Sequence, residues 1–168
     1  MDKIINKVAN SKLITLNLED YYPEGKRVMF DIKDWLFEGL ILREKEFREH
    51  AKNHDWSQYQ NAYVALNSSS EAIIPGWAYL LVTTYLTPFA KKIVIGNLTD
   101  MENTLYAEII QQTDFSELKG LPVIIKGCTN KPVPENASVL LIQKIQPLVK
   151  SLFYGEACSS VPLYKRKS

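Results

Sequence analysis

His50 and His54 stand four residues apart in the charged stretch Glu44-Lys45-Glu46-Phe47-Arg48-Glu49-His50-Ala51-Lys52-Asn53-His54, and they are the chain's only histidines. On a helix that spacing sets both imidazoles on one face, where two ring nitrogens can share a transition metal such as zinc or iron. Ala51 occupies the place of the glutamate that a zinc-protease helix carries, so the pair does not read as a hydrolytic centre. The remaining ligands of such a site would have to come from Asp55, Cys128 and Cys158. A solvated helix face rich in Lys, Glu and Arg accounts for the same two histidines.

Cys128 follows the apolar run Val123-Ile124-Ile125 and sits between Gly127 and Thr129. A thiol there would act as a nucleophile only with a depressed pKa, and no histidine lies near it in the chain. Cysteine in such a place is most often a small packed residue. Cys158 belongs to the tail Tyr154-Gly155-Glu156-Ala157-Cys158-Ser159-Ser160-Val161-Pro162-Leu163-Tyr164-Lys165, whose Val161/Leu163 alternation also suits an added strand. Ser68 and Ser69 after Leu66, Asn97 after Ile95, and Thr129 and Asn130 after Ile125 are the candidate lining of a pocket, where backbone N–H groups at helix starts would receive an anion. The glycine spacing of a phosphate loop or a dinucleotide fold is missing, so this expectation rests on the fold class.

The elements that must hold these residues follow from patterning. Leu13, Ile14 and Leu16 read as one strand and Val28, Phe30 and Ile32 as a second, joined as a hairpin across the Tyr22-Pro23-Glu24-Gly25 turn. Glu44–His54 reads as an exposed helix. Strands are expected at Tyr63–Leu66, Ile93–Ile95 and Val123–Ile125, each followed by a helix: from Pro75 to Phe89, from a Thr99/Glu102 capping box, and within 136–153 around Pro147. Such a βα succession predicts an α/β fold with a central, mainly parallel sheet, flanking helices in two or three layers, and the N-terminal hairpin at an edge. The loops after Leu66, Ile95 and Ile125 then share the ligand-binding edge of the sheet.

The 168 residues suit a single domain spanning 1–168, and no internal repeat or linker is read in them. A net charge of +1, from 20 basic and 19 acidic side chains, provides no field for nucleic acid or an anionic membrane. The polar N-terminal residues and the interrupted apolar stretches suggest a cytoplasmic chain with no membrane span and with free thiols.

Phe30-Asp31-Ile32-Lys33-Asp34, His54-Asp55-Trp56-Ser57-Gln58-Tyr59, Ala72-Ile73-Ile74-Pro75-Gly76-Trp77-Ala78-Tyr79, Lys126-Gly127-Cys128 and the tail motif together resemble the bacterial domain-of-unknown-function family 2480, typical of Bacteroidota. The likeness spans nearly the whole chain; Ala157 stands where the family often has proline. The resemblance implies no established activity, only a setting of gene neighbourhoods shared with iron–sulfur cluster assembly. The expected function is a non-catalytic accessory protein with a protein partner or a second copy of itself, using His54, Cys128 and Cys158 for a metal or for thiol exchange. A small-molecule binder or cysteine enzyme with a strand-edge pocket, and a purely structural interaction module, are the alternatives.

Overall fold

β-Branched runs bounded by glycine, proline and asparagine form the strands, and apolar residues recurring every three or four positions form the helices. The computed structural model describes residues 13–127 and 129–168 together with the backbone of Asn6–Lys7. In chain order the strands are β1 (Asn6–Lys7), β2 (Ile14–Leu16), β3 (Arg27–Asp31), β4 (Tyr63–Asn67), β5 (Lys92–Ile95), β6 (Pro122–Ile125), β7 (Ser151–Glu156) and β8 (Ser159–Lys165). The helices are α1 (Glu44–Asn53), α2 (Gly76–Leu86), α3 (Leu98–Gln112) and α4 (Glu135–Ile145).

The class is α/β with mainly parallel strands, but they form two sheets where one was expected. Contacts divide the chain into two units: the inserted unit, Glu24–Met101, and the outer unit, made of the residues up to Pro23 and Glu102–Ser168. The inserted unit holds the parallel sheet β3-β4-β5. The outer unit holds β1-β2-β6-β7-β8, parallel in its centre and antiparallel at both edges.

Two expectations about strand pairing therefore give way. β2 and β3 do not form a hairpin, because a polar residue after β2 and another at the end of β3 each start a 3-10 turn rather than a tight reversal. Asn17 accepts the Glu19 N–H at 3.1 Å and Asp31 accepts the Lys33 N–H at 2.9 Å. Val123–Ile125 does not extend the sheet of β4 and β5; it lies between β2 and β7.

Helix ends differ in detail as well. α3 is capped by Asn97 and Asp100, each accepting the other's backbone N–H at 3.0 and 2.7 Å, two residues before the expected Thr99/Glu102 box. α4 stops before Pro147, so Leu152, expected on that helix, lies in β7 instead. The tail does supply a strand, β8, antiparallel to β7.

The two units are copies of one design, a repeat the linear reading did not find. Glu44–Gly96 and Asn103–Gly155 align at one constant offset without a gap, with Asp55/Asp114, Ser57/Ser116, Val64/Val123, Pro75/Pro134, Ala78/Ala137, Pro88/Pro147 and Gly96/Gly155 identical. Leu16–Asp20 corresponds in the same way to Phe30–Asp34. Strand register follows the alignment: Val28 pairs with Val64 as Ile14 with Val123, and Val64 with Ile93 as Val123 with Leu152. The cores match too. Phe47, Ala51, Trp56, Leu66, Val82 and Leu86 in one are answered by Tyr106, Ile110, Phe115, Ile125, Leu141 and Ile145 in the other. Small Ala51 accompanies large Trp56, and larger Ile110 accompanies smaller Phe115, the volume trade that lets one backbone keep a filled core.

The turn before each central strand shows what the shared backbone demands. Asn61 (φ 59) and Gly120 (φ 72) occupy the same left-handed position, and their N–H groups bond Phe89 O at 2.9 Å and Leu148 O at 2.8 Å. Asn61→Ala and Gly120→Ala should each destabilise by about 1 kcal/mol in urea denaturation. Asn61→Gly should stay within about 0.5 kcal/mol of the parent. A neutral Asn61→Ala would refute the equivalence of the two turns.

Candidate functional site

Among the described residues, polar side chains line a hollow in the inserted unit and another at the strand ends of the outer unit. In the inserted unit the aromatic residues after β3 and after α1 pack together. The Trp35 ring meets Phe30, Phe47, His54 and Trp56 edge-on at 5.1 to 5.8 Å and stacks on His50 at 5.7 Å. The buried Trp56 indole donates to Ala51 O at 2.7 Å, which ties the end of α1 to the turn below it. Trp35, Glu46, Glu49, His50, Asn53 and His54 then enclose a hollow of about 440 Å³.

The two histidines do meet in that hollow, though only His50 is helical. α1 ends at Asn53 and His54 is its extended C-cap, because Asp55 begins the next turn, accepting the Ser57 N–H at 3.0 Å and its hydroxyl at 2.5 Å. Gln58 Nε2 donates to Asp55 O at 2.6 Å, which fixes the orientation of that amide, and the same nitrogen faces His54 Nε2 at 3.3 Å. Tyr59 Oη lies 2.8 Å from the same His54 Nε2, a hydrogen bond whose donor is set by the ring's tautomer. Burial lowers the His54 pKa, with Asp55 opposing; burial and then Asp55 raise that of Tyr59. Both shifts favour the uncharged forms of the pair. Among the described residues no group of three or more His, Cys, Asp or Glu is arranged to hold a metal.

The loops beyond the strands turn their N–H groups on carboxylates of the chain itself. Ser69 donates to Asp31 through its N–H at 3.1 Å and its hydroxyl at 2.5 Å, while Ser68 Oγ accepts the Ser70 N–H at 3.3 Å. Burial pushes the Asp31 carboxyl up, but the Ser69 hydroxyl and the N–H groups of Lys33 and Ser69 outweigh it, leaving the pKa below its usual value. In the outer unit Glu19 accepts the N–H of Lys131 at 2.9 Å and that of Asn130. The Lys131 N–H is the main cause of its lowered pKa. Ser68, Ser69, Asn97 and Asn130 accordingly hold loops and a helix start together by bonds within the chain, and Thr129 borders a hollow.

That hollow, of about 460 Å³, opens at the C-terminal ends of β6 and β7. Leu18 and Val133 give it apolar walls, and Lys126, Thr129, Ser138 and Tyr154 bring an ammonium and three hydroxyls to its rim beside Pro134 and Glu135 at the start of α4. Gly127 keeps room for the tyrosine: a Cβ there would lie 3.1 Å from the ring and 3.3 Å from its hydroxyl. Cys158 is an exposed free thiol in the turn between β7 and β8. It belongs to the outer unit and the histidines to the inserted one; Cys128 lies outside the described residues. Reading from sequence missed Leu18, Lys126, Ser138 and Tyr154, for which the internal repeat was the available signal, since it aligns Lys126 with Asn67 and Tyr154 with Ile95 at the ends of their strands.

Fold and hollows define a duplicated α/β protein with a polar-rimmed cleft at the strand ends of one copy. The chain belongs to the family described as protein of unknown function (DUF2480), which matches residues 2–166. No curated protein and no solved structure matches it. Among the described residues no helix is long and apolar enough to cross a membrane.

His54 carries a pH consequence. The unfolded chain takes up its proton near pH 6.5, whereas the folded chain does so only at lower pH, so the unfolded state binds more protons in between. Stability should fall as pH drops through 6.5 toward the folded midpoint, and His54→Gln should flatten that slope. The ring's midpoint, followed by NMR, should lie below 6.5; a midpoint above it would contradict the burial of the ring as the dominant influence.

Proposed function

We propose that the protein is a non-catalytic accessory protein that binds a small organic anion in the strand-end hollow of its outer unit. The observation that carries this reading is the composition of that hollow, whose lining combines apolar Leu18 and Val133 with polar Lys126, Thr129, Ser138 and Tyr154. Binding sites of small metabolites combine an apolar body with a few placed polar groups, and in α/β sheets they lie beyond the carboxyl ends of the strands. Lys126 and the start of α4 favour a negative group, and Glu135 at the rim favours a ligand whose charge is confined to one end. Among the described residues the lining offers hydroxyls, an amine and the Glu135 carboxylate, groups suited to binding a polar ligand. A shared metal or thiol centre draws less support, because His54 Nε2 is engaged by Tyr59 and Gln58.

A panel of small carboxylates and phosphate esters titrated into labelled protein tests this. At least one should move the amide signals of Lys126, Gly127 and Glu135–Ser138 saturably, and Lys126→Ala should weaken it about tenfold, the usual scale of one charge-assisted contact. A panel that leaves those amides untouched, or an affinity indifferent to Lys126→Ala, would end the reading.

A further inference from the structure

The repeat shows which side chains the shared scaffold does not demand. Glu46, Glu49, His50 and Asn53 fall on one face of α1 and, with Trp35 and His54, line the hollow of about 440 Å³ in the inserted unit. Through the repeat Glu46 answers to Leu105, His50 to Ile109, His54 to Thr113 and Trp35 to Tyr21, while Glu49 keeps its charge in Glu108 and Asn53 its amide in Gln112. Leu105 is buried and Ile109 half-buried, whereas Glu46 and His50 are exposed. One helix geometry thus carries an apolar face in the outer unit and a polar, ring-bearing face in the inserted one, and packing does not account for the second set.

The lining of this hollow favours positive charge in three ways. Glu46 and Glu49, one turn apart, bring two carboxylates to it. Trp35 and His50, stacked at 5.7 Å with planes 13° apart, form an aromatic wall, and an indole ring attracts cations through its quadrupole. Asn53 adds an amide oxygen able to accept from an N–H. The cations of the chain itself leave this balance in place. Arg43 pairs with Glu46 at 3.3 Å and Arg48 with Glu44 at 3.0 Å, but both pairs are solvent-exposed and such pairs exchange readily. Among the described residues the lining holds neither arginine, nor Lys45 or Lys52.

We propose that this hollow binds a small organic cation, an alkylammonium or alkylguanidinium compound. Its N–H donors meet the carboxylates of Glu46 and Glu49 and the Asn53 amide, and its methylenes lie against the Trp35 ring. A metal ion is the poorer fit, since among the described residues no three His, Cys, Asp or Glu converge to ligate one. The site belongs to the inserted unit alone and takes the opposite charge from the strand-end hollow, so it does not rest on the anion-binding reading.

The test titrates the full chain, labelled for NMR, with butylammonium, butylguanidinium, butanol and butyrate, which share one apolar chain and differ in charge. At least one of the two cations should move the Trp35 indole N–H and the amides of Glu46–His54 saturably, while butanol and butyrate leave them in place. Glu49→Gln, a change at an exposed position whose folding circular dichroism checks, should weaken the cation about tenfold, the scale of one charge-assisted contact. Added salt should weaken it in the parent as well. An equal response to butanol, shifts that do not saturate, or an affinity indifferent to Glu49→Gln would overturn the proposal. So would zinc alone moving the same signals to saturation at stoichiometric amounts, since the hollow would then be a metal centre.

Discussion

Parallel strands cannot be joined by a tight turn, and the arrangement of this protein follows from that constraint. A chain leaving β4 must cross back through a helix before β5 can lie beside it in the same direction, and the chain leaving β6 must do the same before β7. The strand ends consequently collect at one edge of each sheet, with the loops 68–75 and 127–134 emerging there. Buried β4 and β6 have neighbours on both sides, so their backbone groups are satisfied and their side chains can be apolar throughout. Polar function is displaced to the loops, where Asp31 and Glu19 take up N–H groups that would otherwise need water.

The same backbone carries two chemistries. In the inserted unit the positions of Trp35, His54, Trp56 and Tyr59 form an aromatic cluster; in the outer unit Tyr21, Thr113, Phe115 and Leu118 occupy them. Since the smaller set supports an equivalent fold, the indole and imidazole rings are not a requirement of the scaffold. The strand ends differ in the reverse sense, with Lys126 and Tyr154 in the outer unit against Asn67 and Ile95 in the other. Duplication gives each half a copy in which to see which side chains serve packing alone.

Much of the architecture was legible because it is local. Val-Ile-Ile at 123–125 and Ile-Val-Ile at 93–95 announce strands wherever they pair, and Pro75 marks a helix start. Pairing itself is long-range: nothing near Ile14 indicates Val123 as its neighbour, so one sheet was read where there are two. The repeat escaped because its identical residues, such as Asp55/Asp114 and Pro88/Pro147, are scattered among substitutions that change both type and size, such as Ala51/Ile110 and Asn61/Gly120. The strand ends that border a hollow were legible from the βα order, and Thr129 with them. Lys126 and Glu19 were not, since a charged residue in a loop carries no periodic signal. His54 was placed on a helix by spacing, whereas Asp55 claims the following N–H groups and turns the chain out of helix one residue earlier.

The insertion of one unit within the other has a kinetic meaning. All strands of the inserted unit lie between Arg27 and Ile95, while β2 must find β6 across the whole of that stretch to complete the outer sheet. Loop-closure entropy favours the nearer pairings, so during synthesis the middle of the chain can collapse while β6 is still within the ribosome. Once formed, it shortens the span that separates Leu16 from Ile125, acting as a folded spacer that makes the later closure less demanding.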